Sequence, residues 1–271
     1  MPHLANGAFE FCGIWGEVCP GFVSGKSVSS ALLWDLKSTT FFSDIAKKLN
    51  IPVEPLIYQT IIHESFHLFG QHLNRSGWPT QYSDPGFEVR KEINRRCYVP
   101  NATVHTLRDK EVDSIFKVAQ KVFAGASNQD VQTALKQFLT LRWLRYQELS
   151  GTLVSTDSGN VNCATAEDLM EMEEGLTESI ADQISIASGI LTPQQVLRIE
   201  RLAPSLSSNI QSFYAFGTFE TMALSYLEGG LTPFATRLFR DKSDTLAKEM
   251  ERASSATIYG FGKPFNILYI H

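Results

Sequence analysis

Residues 56–69 read Leu-Ile-Tyr-Gln-Thr-Ile-Ile-His-Glu-Ser-Phe-His-Leu-Phe, an apolar run into which His63, Glu64 and His67 are set as H-E-x-x-H. The run spaces its apolar residues as a helix does, so positions i and i+4 share a face and both imidazoles reach one ion. Burying three polar side chains is unfavourable without compensating partners, and a divalent metal is the partner that this spacing suits. Glu64 then sits beside the open coordination position, where it can take a proton from metal-bound water. The helix therefore asks its fold to bring a third ligand from elsewhere in the chain.

Composition narrows the classes around that helix. Of 271 residues, 43% are hydrophobic and 20% charged, which is globular material with enough apolar surface for a core. A net charge of -5 leaves no basic footprint, so a dedicated nucleic-acid binder is excluded. No stretch approaches the roughly 18 apolar residues of a membrane span. The first twenty residues lack the basic start and long apolar run of a secretory signal, which predicts a cytoplasmic protein unless a leader has been trimmed. Cys12 and Cys19 lie close enough in sequence to pair, while Cys97 and Cys163 are far apart. The count of four fits disulfides and reduced thiols equally. No C-x-x-C pair exists, which argues against a thiolate zinc site.

The predicted architecture is α+β and mostly helical, a single domain over residues 1–271. Residues 1–50 read as its strand-rich part, with turn signals at Pro20-Gly21 and Ser24-Gly25. Apolar spacings of three and four predict helices near 54–73, 86–97, 107–124, 129–150, 165–188, 193–202, 206–228 and 233–253. Residues 151–160, polar and without periodicity, read as a loop, and the β-branched, aromatic tail from Ala256 reads as a final strand. Residues 75–160 form a helical insertion between the H-E-x-x-H helix and the helix expected to bring the third ligand. Glu88, Glu92, Arg95 and Arg96 within it read as a solvated face. Pro20–Ser27 approaches a phosphate-binding loop, but its first glycine is one place out, so a nucleotide site is not expected.

Candidates for the third ligand come from two places. Gly70 falls where a metzincin has its glycine, yet His72 arrives one residue early for that pattern. The segment Met172–Asp182 instead offers carboxylates at Glu174, Glu178 and Asp182. These are i, i+4 and i+8 on one helical face, so one can bind metal while the next supports a ligand histidine.

Glu174-Gly175-Leu176-Thr177 resembles the E-G-[LF]-[TA] segment of the aminopeptidase N and glycyl aminopeptidase families, and it is similar to the N-E-x-x-S-D segment of thermolysin. The resemblance implies a zincin-like metallopeptidase catalytic domain of gluzincin type with short N-terminal strands. Zn²⁺ would be held by His63, His67 and Glu174, with Glu64 as general base and Glu178 orienting a ligand histidine. The shifted register, Glu178 as ligand and Asp182 as support, stays open. Phe213–Gly217 resembles the Y-x-x-G segment of the same aminopeptidases, which implies that the Tyr214 hydroxyl stabilises an oxyanion. Gly7–Phe11 resembles their G-A-M-E-N strand at three positions of five. The chain departs from these families in the 106 residues that lie between His67 and Glu174.

The expectation is thus a zinc-dependent enzyme hydrolysing bonds in a peptide or protein substrate, with its oligomeric state open. The alternative is a non-catalytic zincin-fold binding protein whose metal site is structural or vestigial. The intact Glu64 speaks against it.

Overall fold

A computed structural model describes residues 40–66, 91–156, 159–206, 212–240 and 245–254. In chain order these form α1 (Thr40–Leu49), α2 (Glu54–Phe66), a π-turn π1 (Asn94–Tyr98), α3 (Ala102–Phe123), α4 (Asn128–Glu148), β1 (Leu153–Thr156) and β2 (Gly159–Asn162). Next come α5 (Cys163–Met170), a second π-turn π2 (Glu171–Gly175), α6 (Leu176–Ala187), α7 (Pro193–Leu206), α8 (Ser212–Leu227), α9 (Leu231–Arg240) and α10 (Leu246–Ser254). The expected mostly helical architecture with few strands is what the structure has. Among the described residues, no helix is long and apolar enough to cross a membrane.

The described residues fall into two compact units. One lies within Met1–Ser76 and Ile180–Val196, the other within Gly77–Ser179 and Leu197–His271. In the first, α1 buries Ile45, Ala46 and Leu49, a one-sided stripe at helical spacing, and packs on α2. The segment 40–49 is therefore helical, where strands were expected through residue 50. The remainder of that strand-rich part, residues 1–39, lies outside the described residues, as do Gly7–Phe11, Pro20–Ser27, Cys12, Cys19 and the tail strand.

In the larger unit, α3 and α4 run against each other. Each starts at a side-chain cap that satisfies an otherwise orphaned amide: Asn101 Oδ1 accepts from Val104 N at 2.9 Å, and Ser127 Oγ accepts from Asp130 N at 3.2 Å. The buried stripe of α3 is Val104, Arg108, Glu111, Ile115 and Val118, and that of α4 is Val131, Leu135, Phe138, Arg142 and Arg145. Both follow the alternating four-and-three spacing of paired helices, with charged residues standing at core positions. Against this pair lies α8, whose Phe213, Phe216, Phe219, Met222, Ala223 and Leu224 are all buried.

Residues 151–160 are not a loop throughout. Leu153 pairs with Asn162 and Thr156 with Gly159, so β1 and β2 make an antiparallel hairpin. Val154 is buried in it while Leu153, Ser155, Gly159 and Asn160 are exposed, which is why no apolar periodicity marks the segment. Asn162 then caps α5 by accepting from Thr165 N at 2.8 Å. A disulfide joins Cys97 of π1 to Cys163, the first residue of α5, with Cα atoms 5.4 Å apart. Closing a 66-residue separation restricts the unfolded chain by about 4 kcal/mol in the loop-entropy account. The hairpin is thereby tied back to the helical core.

Candidate metal centre

On α2, Leu56, Gln59 and His63 are buried at spacings of three and four, so one face of the helix is turned inward. His63 is only 5% exposed, and Glu64, one residue on, is half-buried. The hydroxyls of Thr60 and Ser65 donate to the helix's own carbonyls at Leu56 and Ile61. They compete for nothing on the buried face. Gln59, one turn before His63, donates from Nε2 to Asp182 Oδ1 at 2.6 Å. Both residues belong to the smaller unit, so the H-E-x-x-H helix is bonded to the C-terminal half of α6. His67, Gly70 and His72 lie outside the described residues.

The other predicted ligands sit on one continuous helical stretch, α5–π2–α6. Glu174, in the π-turn, is 3% exposed, Glu178 is half-buried in the first turn of α6, and Asp182 is fully buried one turn later. Tyr214 is half-buried near the start of α8, its ring 4.8 Å from that of Phe213. Two glycines set the spacing between these helices. A Cβ on Gly175 would overlap the backbone of Gly217, and one on Gly217 would overlap the carbonyl of Glu171. The backbones of π2 and α8 thus meet without side chains between them, three residues from Tyr214 and one from Glu174. Thr218 Oγ1 donates to Gly175 O at 3.3 Å across the same crossing.

Sequence reasoning missed the charged cluster that flanks this crossing. Arg142 donates from both terminal nitrogens to Glu171 at 2.8 and 2.9 Å, from Nε to Glu111 at 3.2 Å, and lies 2.6 Å from Glu220 of α8. Arg145 bonds Glu111, both oxygens of Glu167 (2.7 and 2.6 Å) and the Cys97 carbonyl at 3.1 Å. The Arg142 guanidinium also sits over the Phe138 and Phe216 rings at 4.6 and 4.9 Å. Every one of these six charged side chains is 2% exposed or less. A signal was present: Arg142 and Arg145 continue the apolar stripe of α4, and Glu111 occupies the same kind of position on α3.

Four carboxylates share two arginines, and the imbalance shows in the acidity of Glu220 and Glu171. Burial pushes Glu220 up to about 7, with Arg142 pulling down and the charges of Asp168 and Glu111 pushing up. Glu171 moves the same way, burial outweighing the Arg142 pair. Asp168 is pushed up to about 6 by burial, although its carboxylate accepts from Ala247 N at the start of α10. By contrast, the Glu92 carboxyl on the surface is lowered by hydrogen bonds from Arg95 and Arg96. That trio is the solvated face expected there, and Glu88 lies outside the described residues.

Within the larger unit, Glu178 and Glu200 of α7 bring carboxylate oxygens within 4.8 Å of one another. Acidic clusters of this kind are common without an ion, and this one supplies no imidazole. His63 in the smaller unit and Glu174 in the larger are each more than nine-tenths buried on a helix, the one an imidazole and the other a carboxylate. No protein-family model, curated protein or solved structure matches this chain.

Proposed function

We propose that the chain is a zinc-dependent metallopeptidase of gluzincin type, with His63, His67 and Glu174 as metal ligands and Glu64 as general base. The observation that carries this reading is the Gln59–Asp182 bond. It ties the helix of the H-E-x-x-H motif to the helix that continues from Glu174-Gly175-Leu176-Thr177, as a two-helix zinc site requires. The shifted register, with Glu178 as ligand and Asp182 as its support, is the alternative, because the Gln59 bond occupies only Oδ1 of the Asp182 carboxylate.

Bound zinc would polarise the scissile carbonyl and make water acidic enough to attack it near neutral pH. The chain's own residues supply the rest. Glu64, half-buried one residue from His63, accepts the proton of the attacking water and returns it to the leaving amine. Glu178 hydrogen-bonds a ligand histidine and fixes its tautomer. Tyr214, whose hydroxyl is a donor on a helix held against the π-turn by the glycine crossing, stabilises the oxyanion. The substrate is a peptide or protein. The Cys97–Cys163 disulfide favours an oxidising compartment over the cytoplasmic expectation.

Elemental analysis of the purified protein, set beside hydrolysis of a peptide library, tests the reading. Wild type should carry one zinc per chain and Glu174→Ala none. Glu64→Gln should retain the metal while hydrolysis falls by two to four orders of magnitude, roughly the contribution of a general base. A Glu64→Gln protein with full activity, or a wild type that takes up no zinc on reconstitution, would sink it.

A further inference from the structure

Glu167, Glu171, Glu174, Glu178 and Asp182 succeed one another at spacings of four, three, four and four. In an uninterrupted α-helix all five would share one face, since each residue advances about 100°. The face that binds the arginines of α4 would then also carry the carboxylates expected at the metal. The π-turn Glu171–Gly175 prevents this. Its i→i+5 bonds insert the equivalent of one residue, so everything beyond it is turned by about 100° relative to Glu167 and Glu171.

Two contacts hold that turn. Arg142 grips its first residue, Glu171, through two hydrogen bonds, and Gly217 of α8 admits its last residue, Gly175, at backbone distance. Arg142 is itself fixed by Glu111, Glu220 and the Phe138 and Phe216 rings. The turn is thus clamped at both ends by elements that do not carry it.

We propose that the Arg142–Glu171 pair and the Gly175–Gly217 crossing are a positioning device. They hold the π-turn so that Glu174 leaves the arginine-binding face, the orientation in which the zinc reading uses it as a ligand. Arg142 and Glu171 touch neither metal nor substrate and act only through Glu174. The inference rests on the zinc reading above.

Titration of the apo full-length chain with Co²⁺ alone, followed by its visible d–d absorption, tests it. Glu171→Gln keeps the side chain's shape and weakens only its pairing with Arg142. The control is Glu249→Gln, which loses a buried carboxylate paired with Arg237 and Arg252, on α9 and α10, rather than with Arg142. We expect Glu171→Gln to bind Co²⁺ ten- to a hundredfold more weakly, the usual cost of losing a residue that orients a ligand, with an altered d–d band. Glu249→Gln should match wild type.

Wild-type affinity and spectrum in Glu171→Gln overturn the positioning role and leave the zinc site standing. Equal weakening in Glu249→Gln also overturns it, by showing that any buried ion-pair loss has the same effect. A wild type without Co²⁺ binding overturns both the zinc reading and this inference.

Discussion

Glu171 and Glu178 are the same residue type on one continuous helical stretch, two turns apart, and they meet opposite fates. Glu171 is wholly buried with two hydrogen bonds from Arg142 and with burial pushing its carboxyl upward. Glu178, beyond the π-turn, keeps access to solvent. Residue type and spacing along the sequence do not distinguish them. The difference comes from the elements packed opposite: α4 presents arginines to the stretch before the turn, and the turn rotates the residues beyond it away from them. An acidic residue's environment is decided by the partner helix rather than by its own neighbours in sequence.

Removing the cation breaks the comparison most severely. Arg142→Met leaves Glu111, Glu171 and Glu220 buried beside a neutral side chain, and it should lower unfolding free energy by about 3–5 kcal/mol. Urea denaturation checks this. A loss under about 1 kcal/mol would mean that the acids are already protonated and need no counter-charge.

Next comes the crossing that holds the turn. Gly217→Ala drives a methyl into the Glu171 carbonyl and the Gly175 backbone, so neither neighbour can yield as a flexible side chain would. A cost of about 1–3 kcal/mol is expected in a thermal melt. No shift in midpoint would show that α8 and π2 separate easily and that the two halves of the stretch are not held apart by this contact.

Acidity sharpens the contrast further. Glu220 rises from an ordinary 4.5 to about 7 on folding, and Asp168 from 3.8 to about 6. For a raised carboxyl the folded state holds the proton more tightly. The stability it contributes is complete below the unfolded value and disappears as pH rises through the folded one. The protein should therefore gain stability on acidification from pH 8 to pH 5, with Glu220 supplying up to about 3 kcal/mol. Glu220→Gln, which mimics the protonated acid, should flatten that slope. A Glu220→Gln curve parallel to wild type would place the titration elsewhere.

The smallest effect belongs to the other side of the turn. Glu178→Gln should leave the unfolding free energy within about 0.5 kcal/mol of wild type, as a half-exposed substitution outside the buried network does. Chemical denaturation measures it, and a penalty as large as that of Arg142→Met would erase the distinction between the two carboxylates.

Much of this was readable from residue order. Helices expected at 107–124 and 129–150 correspond to α3 and α4, because their apolar stripes recur every three and four residues and Asn101 and Ser127 cap their starts. The predicted helix at 165–188 corresponds to α5–π2–α6, although the π-turn within it was invisible: its sequence, Glu-Met-Glu-Glu-Gly, has the same pattern as a regular helix. The helix expected over 233–253 is two, α9 and α10, with α10 starting where Asp168 accepts the Ala247 amide, a contact from 79 positions away. His63 and Glu174 were singled out by motif, and both are buried. The arginine pair was passed over because charge in a sequence reads as surface until something opposite neutralises it.

By itself, the sequence determined where the long helices form, which apolar positions share a face and which residues have the chemistry to hold a metal. Those properties depend on spacing within a few turns and on side-chain type. Only the tertiary structure decided that Arg142 and Arg145 are core residues, that Cys97 pairs with Cys163, and that the acidic stretch is divided by a π-turn. Each of these needs a partner far along the chain, whose approach lowers the cost of burying a charge or of leaving the α-helical register, and local pattern holds no record of that partner.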